Sequence, residues 1–351
     1  MTDEIRLLYR TAAIFTFGFL ATSVLADVNG LPDPLFQDNE TLHVTITGPL
    51  TSLVRERPKD DYSAALLEYT ETDSTTVKFD LDIRTRGNFR HQNCEYPPVS
   101  LNLKKSQTNG TLFDKQNKLK LVIHCDFSQQ YEQVVLREYL AYKILSAITD
   151  MSFRVRLLRV TYVNTEVQGG GQVRYGFLIE HKNRLAKRHD LKDLEIEHTT
   201  VASIQPDQLN LTSVFEFFIG NTDFSPIAGA PDDECCHNYV LFGNDTDPLI
   251  AVPYDFDQSG FVDAPYAAPD RRFRIRSVRQ RLYRGRCVNN KHVATSLQRF
   301  RDSRESIYAL INDQEGLQSD VLDRLISYID DFYDLINDPK TVAQRITRKC
   351  I

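Results

Sequence analysis

The sequence predicts an α+β fold of two lobes: a β-rich first lobe with one main helix, then a mostly helical second lobe carrying a β-hairpin. Three observations predict it. Apolar and polar residues alternate at Leu42–Ile46 and Thr76–Ile83, the period of half-buried strands, with shorter candidates at Leu101–Leu103 and Leu119–Ile123. Helical spacing takes over at 131–148, where Val135, Tyr139, Tyr142 and Ile148 belong to one broad apolar face. Beyond Glu180 the pattern is mostly helical, interrupted by two short apolar strands, Tyr239–Phe242 and the run ending in Val252-Pro253.

The chain has 351 residues, enough for one large domain or two smaller ones sharing a cleft. A net charge of −6 argues against a dedicated nucleic-acid binder, which should be basic. Residues 1–26 read as a signal peptide. Arg6 and Arg10 precede the apolar run Thr11–Leu25, and Val24-Leu25-Ala26 forms a cleavage site ahead of Asp27. The lobes are then 27–179 and 180–351, and no other segment is long and apolar enough to span a membrane. Six cysteines in an exported chain suggest disulfides. Cys94 with Cys125, in neighbouring strand-like segments, is the first expected pair and Cys236 with Cys287 the second.

Strands resume at Val155–Val163 and Val173–Ile179 around Gly169-Gly170-Gly171. That glycine run lacks the Gly-x-x-x-x-Gly-Lys pattern of a phosphate loop and reads as a hairpin turn. Leu209–Phe218 is a helix leading into a loop that holds Asp223. Eight arginines lie between Arg271 and Arg286. They read as a solvated helix face, or as a dock for an acidic or phosphorylated substrate. Amphipathic helices at 292–312 and 319–336 end the chain.

The chemistry-bearing residues cluster around the hairpin. Asn221-Thr222-Asp223 ends an apolar helix, Asn238 opens one strand, and Pro253-Tyr254-Asp255-Phe256-Asp257 ends the other. Asp and Asn also make turns, but phosphoryl transfer needs this set. One carboxylate orients a hydroxyl, and an Asn and a second carboxylate hold Mg²⁺ against nucleotide phosphates. A phosphate-binding cation must face them; Lys104, Lys105 and Lys120 are candidates, and Lys120 sits within an alternating strand. Glu138 on the 131–148 helix is the expected lysine partner, with Glu132 its rival. His181, His189 and His198 lack zinc-ligand spacing. No Gly-x-Ser-x-Gly elbow supports a serine hydrolase.

This order of features resembles the atypical kinase superfamily that includes the CotH spore-coat kinases and the HipA-type kinases. The resemblance rests on Arg84-Thr85-Arg86-Gly87-Asn88, on Tyr175-Gly176-Phe177-Leu178-Ile179-Glu180, and on the Asp223, Asn238 and Asp255 elements, over roughly residues 80–265. It implies a two-lobed protein-kinase-like fold that uses ATP and Mg²⁺. Asp223 would be the catalytic carboxylate, and Asn238, Asp255 and Asp257 the metal-binding residues. Arg86, Gly87, Asn88, Lys120, Glu138 and Glu180 would bind the nucleotide. The implied activity is phosphorylation of a hydroxyl on a secreted or cell-surface protein or other hydroxyl-bearing substrate, with no nucleic-acid partner. The alternative is a non-catalytic exported binding or envelope protein, a pseudokinase, on the same fold. One departure stands out. The Asn usually follows the catalytic Asp by five residues, but Asn238 lies fifteen beyond Asp223. Either the loop carries an insertion containing Cys235-Cys236, or Asp233, at the five-residue spacing, is the functional carboxylate.

Overall fold

A computed structural model describes residues 30–71, 73–229, 235–245 and 247–351. The signal-peptide reading of 1–26 and the Asp233 alternative lie outside the described residues. Seven strands form the first half: β1 (Leu42–Gly48), β2 (Ser63–Thr70), β3 (Thr76–Thr85), β4 (Val99–Leu103), β5 (Lys118–Val122), β6 (Val155–Asn164) and β7 (Gln172–Ile179). They close into a barrel in the order β1-β2-β3-β4-β5-β7-β6. All neighbours are antiparallel except β6 and β1, which run parallel from Leu42↔Leu158 to Gly48↔Asn164. This overturns the expected two-lobed protein-kinase-like fold, whose first lobe carries an open sheet. Alternation tells which face of a strand is buried, not which distant strand it pairs with. The closing β1–β6 contact joins segments far apart in sequence. β2 gave no strand signal, because Ser-Ala-Ala-Leu-Leu-Glu-Tyr-Thr is dominated by residues with little β preference.

The barrel interior is packed. Val44, Ile46, Phe79, Leu81, Leu101 and Leu121 are among the side chains that fill it, so it is a core rather than a ligand cavity. A second core runs from Val122 to Ile346. The long helix Gln129–Ile148 lies in that core and is apolar on most sides, with Tyr142 packed on Phe177 and on Phe256. Helices Pro206–Ile219, Val293–Asp302 and Ser319–Asn337 meet around Phe218, Phe300 and Phe332. A small antiparallel sheet completes the fold: β8 (Lys192–Asp193), β9 (Tyr239–Gly243) and β10 (Ile250–Pro253), in the order β10-β9-β8.

All six cysteines are paired. Cys94–Cys125 forms as expected, but Cys236 is joined to Cys235 and Cys287 to Cys350. Cys350 reaches Cys287 because the chain end returns to this segment, where Cys287 N–H donates to the Ile351 carbonyl at 3.1 Å. Such pairing fits an oxidising, exported environment. Among the described residues no helix is long and apolar enough to cross a membrane.

Candidate functional site

In β5, Leu119 and Leu121 face the packed barrel interior, while Lys118 and Lys120 alternate with them and face outward. Outward here means over a cleft of about 1100 Å³ between the barrel wall and the β9–β10 hairpin. The ten residues assigned catalytic, nucleotide-binding or metal-binding roles from the sequence all line this one cleft: Arg86, Gly87, Asn88, Lys120, Glu138, Glu180, Asp223, Asn238, Asp255 and Asp257. A hollow of comparable size, about 980 Å³, lies around Tyr139, Lys143 and Glu315 and carries none of them.

The Asp223 loop is built from the helix before it. Pro206 opens that helix, and Gly220, at φ 68°, ends it with N–H bonds to the Glu216 and Phe217 carbonyls. A Cβ at Gly220 would strike the Tyr328 hydroxyl. Asn221 then accepts from Asp223 N–H at 2.9 Å, an Asx turn that sets the Asp223 backbone. The fifteen-residue gap closes in space, because Ser225 and His237 form a β-bridge. Asn238 Nδ2 donates to the Asp223 carbonyl at 2.7 Å and to its carboxylate at 3.2 Å. His237 Nε2 contacts the other carboxylate oxygen at 2.8 Å. That hydrogen bond raises the His237 pKa above the ordinary imidazole value.

Asn238 and Asp255 both adopt left-handed backbone, φ 56° and 63°. Tyr254 N–H donates to the Asn238 carbonyl at 3.0 Å, so the two site residues flank one rung of the hairpin. Asp255 N–H is held by the Tyr142 hydroxyl of the long helix at 2.8 Å. Among the described residues, Asn238 Oδ1 and both Asp255 carboxylate oxygens accept no hydrogen bond. Asp257 differs: it is buried, and its carboxylate accepts from the Tyr266 hydroxyl at 3.1 Å. Burial and the nearby Asp255 charge push its pKa up. Asp257 therefore supports the site from beneath, whereas Asp255 faces the cleft.

The cations are arranged partly as expected. Lys120 lines the cleft, while Lys104 pairs with Asp80 at 3.1 Å and neither Lys104 nor Lys105 lines it. Lys120 is reached by solvent from the cleft but is otherwise ringed by protein, with its ammonium 5.0 Å from the centre of the Tyr254 ring. Desolvation and the neighbouring Arg86 lower its pKa to about 8. Glu138 does not pair with Lys120. Its partner is Arg90, at 3.4 Å, which the sequence reading passed over although it lies four residues after Arg86. Burial raises the Glu138 pKa against the pull of Arg90. The rival Glu132 instead accepts from Tyr175 N–H at 2.8 Å.

Arg86 presents a buried Nε with no partner among the described residues, and Gly87, at φ 84°, leaves open space where a Cβ would sit. The Asn88 side chain is held at the rim by Lys59, 3.4 Å away. Glu180 plays another part: its carboxylate pairs with Arg188 at 3.1 Å and accepts from Arg154 N–H at 3.1 Å. Its carboxylate is thus engaged from within the protein at the cleft lining. His237 was also overlooked, although it directly precedes Asn238; its role depends on the bridge to Ser225, which has no local signature.

No family model matches this chain, and neither a curated protein nor a solved structure matches it.

Proposed function

We propose that the cleft transfers the γ-phosphoryl group of Mg²⁺-ATP to a hydroxyl of a secreted or cell-surface substrate. One observation carries this reading: Asp223, Asn238 and Asp255 converge on one side of a cleft whose other side presents Arg86 and Lys120. The residues fit the groups they would hold. Asn238 Oδ1 and the Asp255 carboxylate, which accept no hydrogen bond among the described residues, are hard-oxygen donors, the kind Mg²⁺ takes. Arg86 Nε is an orphaned buried donor suited to a phosphate oxygen. Among the described residues no three His, Cys, Asp or Glu side chains surround a metal position. Mg²⁺ bound together with phosphates needs fewer protein ligands than that.

Bound Mg²⁺ would offset the negative charge of the β- and γ-phosphates. Asn238 and Asp255 would hold it there, and Lys120 and Arg86 would bind the phosphates from the barrel side. Phosphate would also restore the full charge of Lys120, whose ammonium is depressed without an anion. Phe153, Ile179 and Leu241 are among the apolar residues of the lining, against which a nucleobase would pack. Asp223 would orient the acceptor hydroxyl and take its proton. Kinship with the CotH and HipA-type kinases is part of this proposal and rests on the order of these residues, not on the barrel.

A second reading, binding without transfer, has one observation in its favour. Both Asp223 carboxylate oxygens are already engaged, by His237 and by Asn238. Radiolabelled γ-phosphoryl transfer to a generic protein acceptor separates the two. Transfer by the wild type and none by Asp223→Asn supports the enzyme. Equal incorporation by both removes Asp223 from the chemistry.

A further inference from the structure

We propose that the segment from Asp270 to Arg276 is a docking site for an acidic polypeptide, which it holds with the acceptor hydroxyl at Asp223. This rests on the transfer reading above and names the class of its substrate.

The segment is not the solvated helix face that its arginine content suggests. It forms no helix, and Asp270 at its start lines the cleft. The arginines of this segment and of the residues after it, up to Arg284, divide into two groups. Arg279, Arg281 and Arg284 are structural. Arg279 pairs with Asp263 at 3.2 Å, and Arg281 is buried on the Tyr328 ring and donates to the Phe218 carbonyl at 2.9 Å. Arg284 donates to the carbonyls of Thr222 and Phe224, both at 2.7 Å, and so clamps the peptide units on either side of Asp223. Phe273 stacks on that same guanidinium, 4.6 Å from its ring centre. The segment is thereby pinned directly to the Asp223 loop.

The second group holds no other part of the chain among the described residues. Arg271, Arg274 and Arg276 are exposed and have no acidic partner among the described residues. Only Arg272 is neutralised, by Asp270. Three exposed guanidinium groups without an acidic partner among the described residues thus follow Asp270, itself part of the cleft lining, in a chain whose net charge is −6. A local positive patch on an acidic protein steers an acidic partner to that spot. Carboxylates flanking a Ser, Thr or Tyr would pair with the arginines while the hydroxyl reaches Asp223.

The test is fluorescence anisotropy with a short fluorescein-labelled Ser-Glu repeat peptide, without nucleotide. A Ser-Lys repeat and a single-stranded oligonucleotide of equal charge serve as comparisons. The proposal expects binding of the Ser-Glu peptide alone, weakened about tenfold in the variant R271S/R274S/R276S, given the modest worth of each exposed ion pair. The three side chains are exposed, so the variant should keep the wild-type Tm and the wild-type response to Mg²⁺-ATP. Unchanged peptide affinity in the variant overturns the proposal, and so does tighter binding of the oligonucleotide. Loss of the Mg²⁺-ATP response in the wild type would instead count against the transfer reading, while the peptide titration still decides docking.

Discussion

Replacing Arg90 with Met would leave the Glu138 carboxylate in the core without its cation. The two side chains are 8% and 2% exposed, so water cannot take the place of the guanidinium. Removing one partner of a buried pair costs roughly 3–5 kcal/mol. The lower end applies here, about 3 kcal/mol, because the 3.4 Å contact is long and Glu138 can take up a proton instead. The sign of the pH effect follows. The folded Glu138 pKa already lies above its unfolded value, and losing Arg90 raises it further. The native state then holds the proton that the unfolded state releases. Stability is full below the unfolded value, near 4.3, and falls as pH rises through the raised folded value. Urea unfolding of wild type and Arg90→Met at about pH 5 and about pH 9 measures this. The deficit should be larger at about pH 9 than at about pH 5, by on the order of 1 kcal/mol, because wild-type Glu138 ionises only near pH 8, and Glu138→Gln in the Arg90→Met background should remove its pH dependence. A loss below about 1 kcal/mol, or one equal at both pH values, would refute the buried-pair reasoning.

Three further outcomes are expected. With its pKa at about 8, Lys120 is about half neutral at pH 8. An ordinary lysine is neutral there only to a few parts per thousand, so mass spectrometry should find Lys120 acylated on the order of a hundredfold faster than the lysine of an unstructured reference peptide. Equal rates would deny the desolvated ammonium. The raised His237 pKa predicts that transfer increases with pH as His237 loses its proton and frees Asp223, with a midpoint above 6.5. The same pair stabilises the fold fully below the unfolded imidazole value and less as pH passes the raised one. In His237→Gln the activity profile should lose that limb, and an unchanged profile would show that the pair does not gate the reaction. Replacing Cys287 and Cys350 together by Ser opens a 63-residue loop, which on chain entropy costs about 4 kcal/mol. A denaturation midpoint equal to that of the wild type would show that the clip is dispensable.

The grouping of the candidate residues in one cleft was more legible in the sequence than the fold. Asp223, Asn238 and Asp255 stood out because polar groups at the ends of apolar strands and helices are conspicuous, and Lys120 because it interrupts a buried alternation. The meeting of Asn238 with Asp255 follows from the hairpin register, and hairpin register is local, whereas Asp223 joins them through the Ser225–His237 bridge. The barrel closure was hidden, because the parallel pairing of β1 with β6 depends on neither segment's own pattern. Arg90 was hidden for a related reason: an arginine reads as a surface residue until the helix carrying Glu138 is laid over it. The arginine run was read by its charge alone, and only Arg284 on the Thr222 and Phe224 carbonyls reveals that part of it is internal scaffolding.

The central claim is that Asn238 and Asp255 hold Mg²⁺ against a nucleotide while Asp223 serves the acceptor. Thermal unfolding with ATP, measured with and without Mg²⁺, tests it most directly. The account predicts stabilisation only when both are present, by about 2.7 kcal/mol at a hundredfold excess over Kd. It should be lost in Asp255→Asn and kept in Asp223→Asn. No stabilisation of the wild type, or an undiminished response in Asp255→Asn, would contradict it.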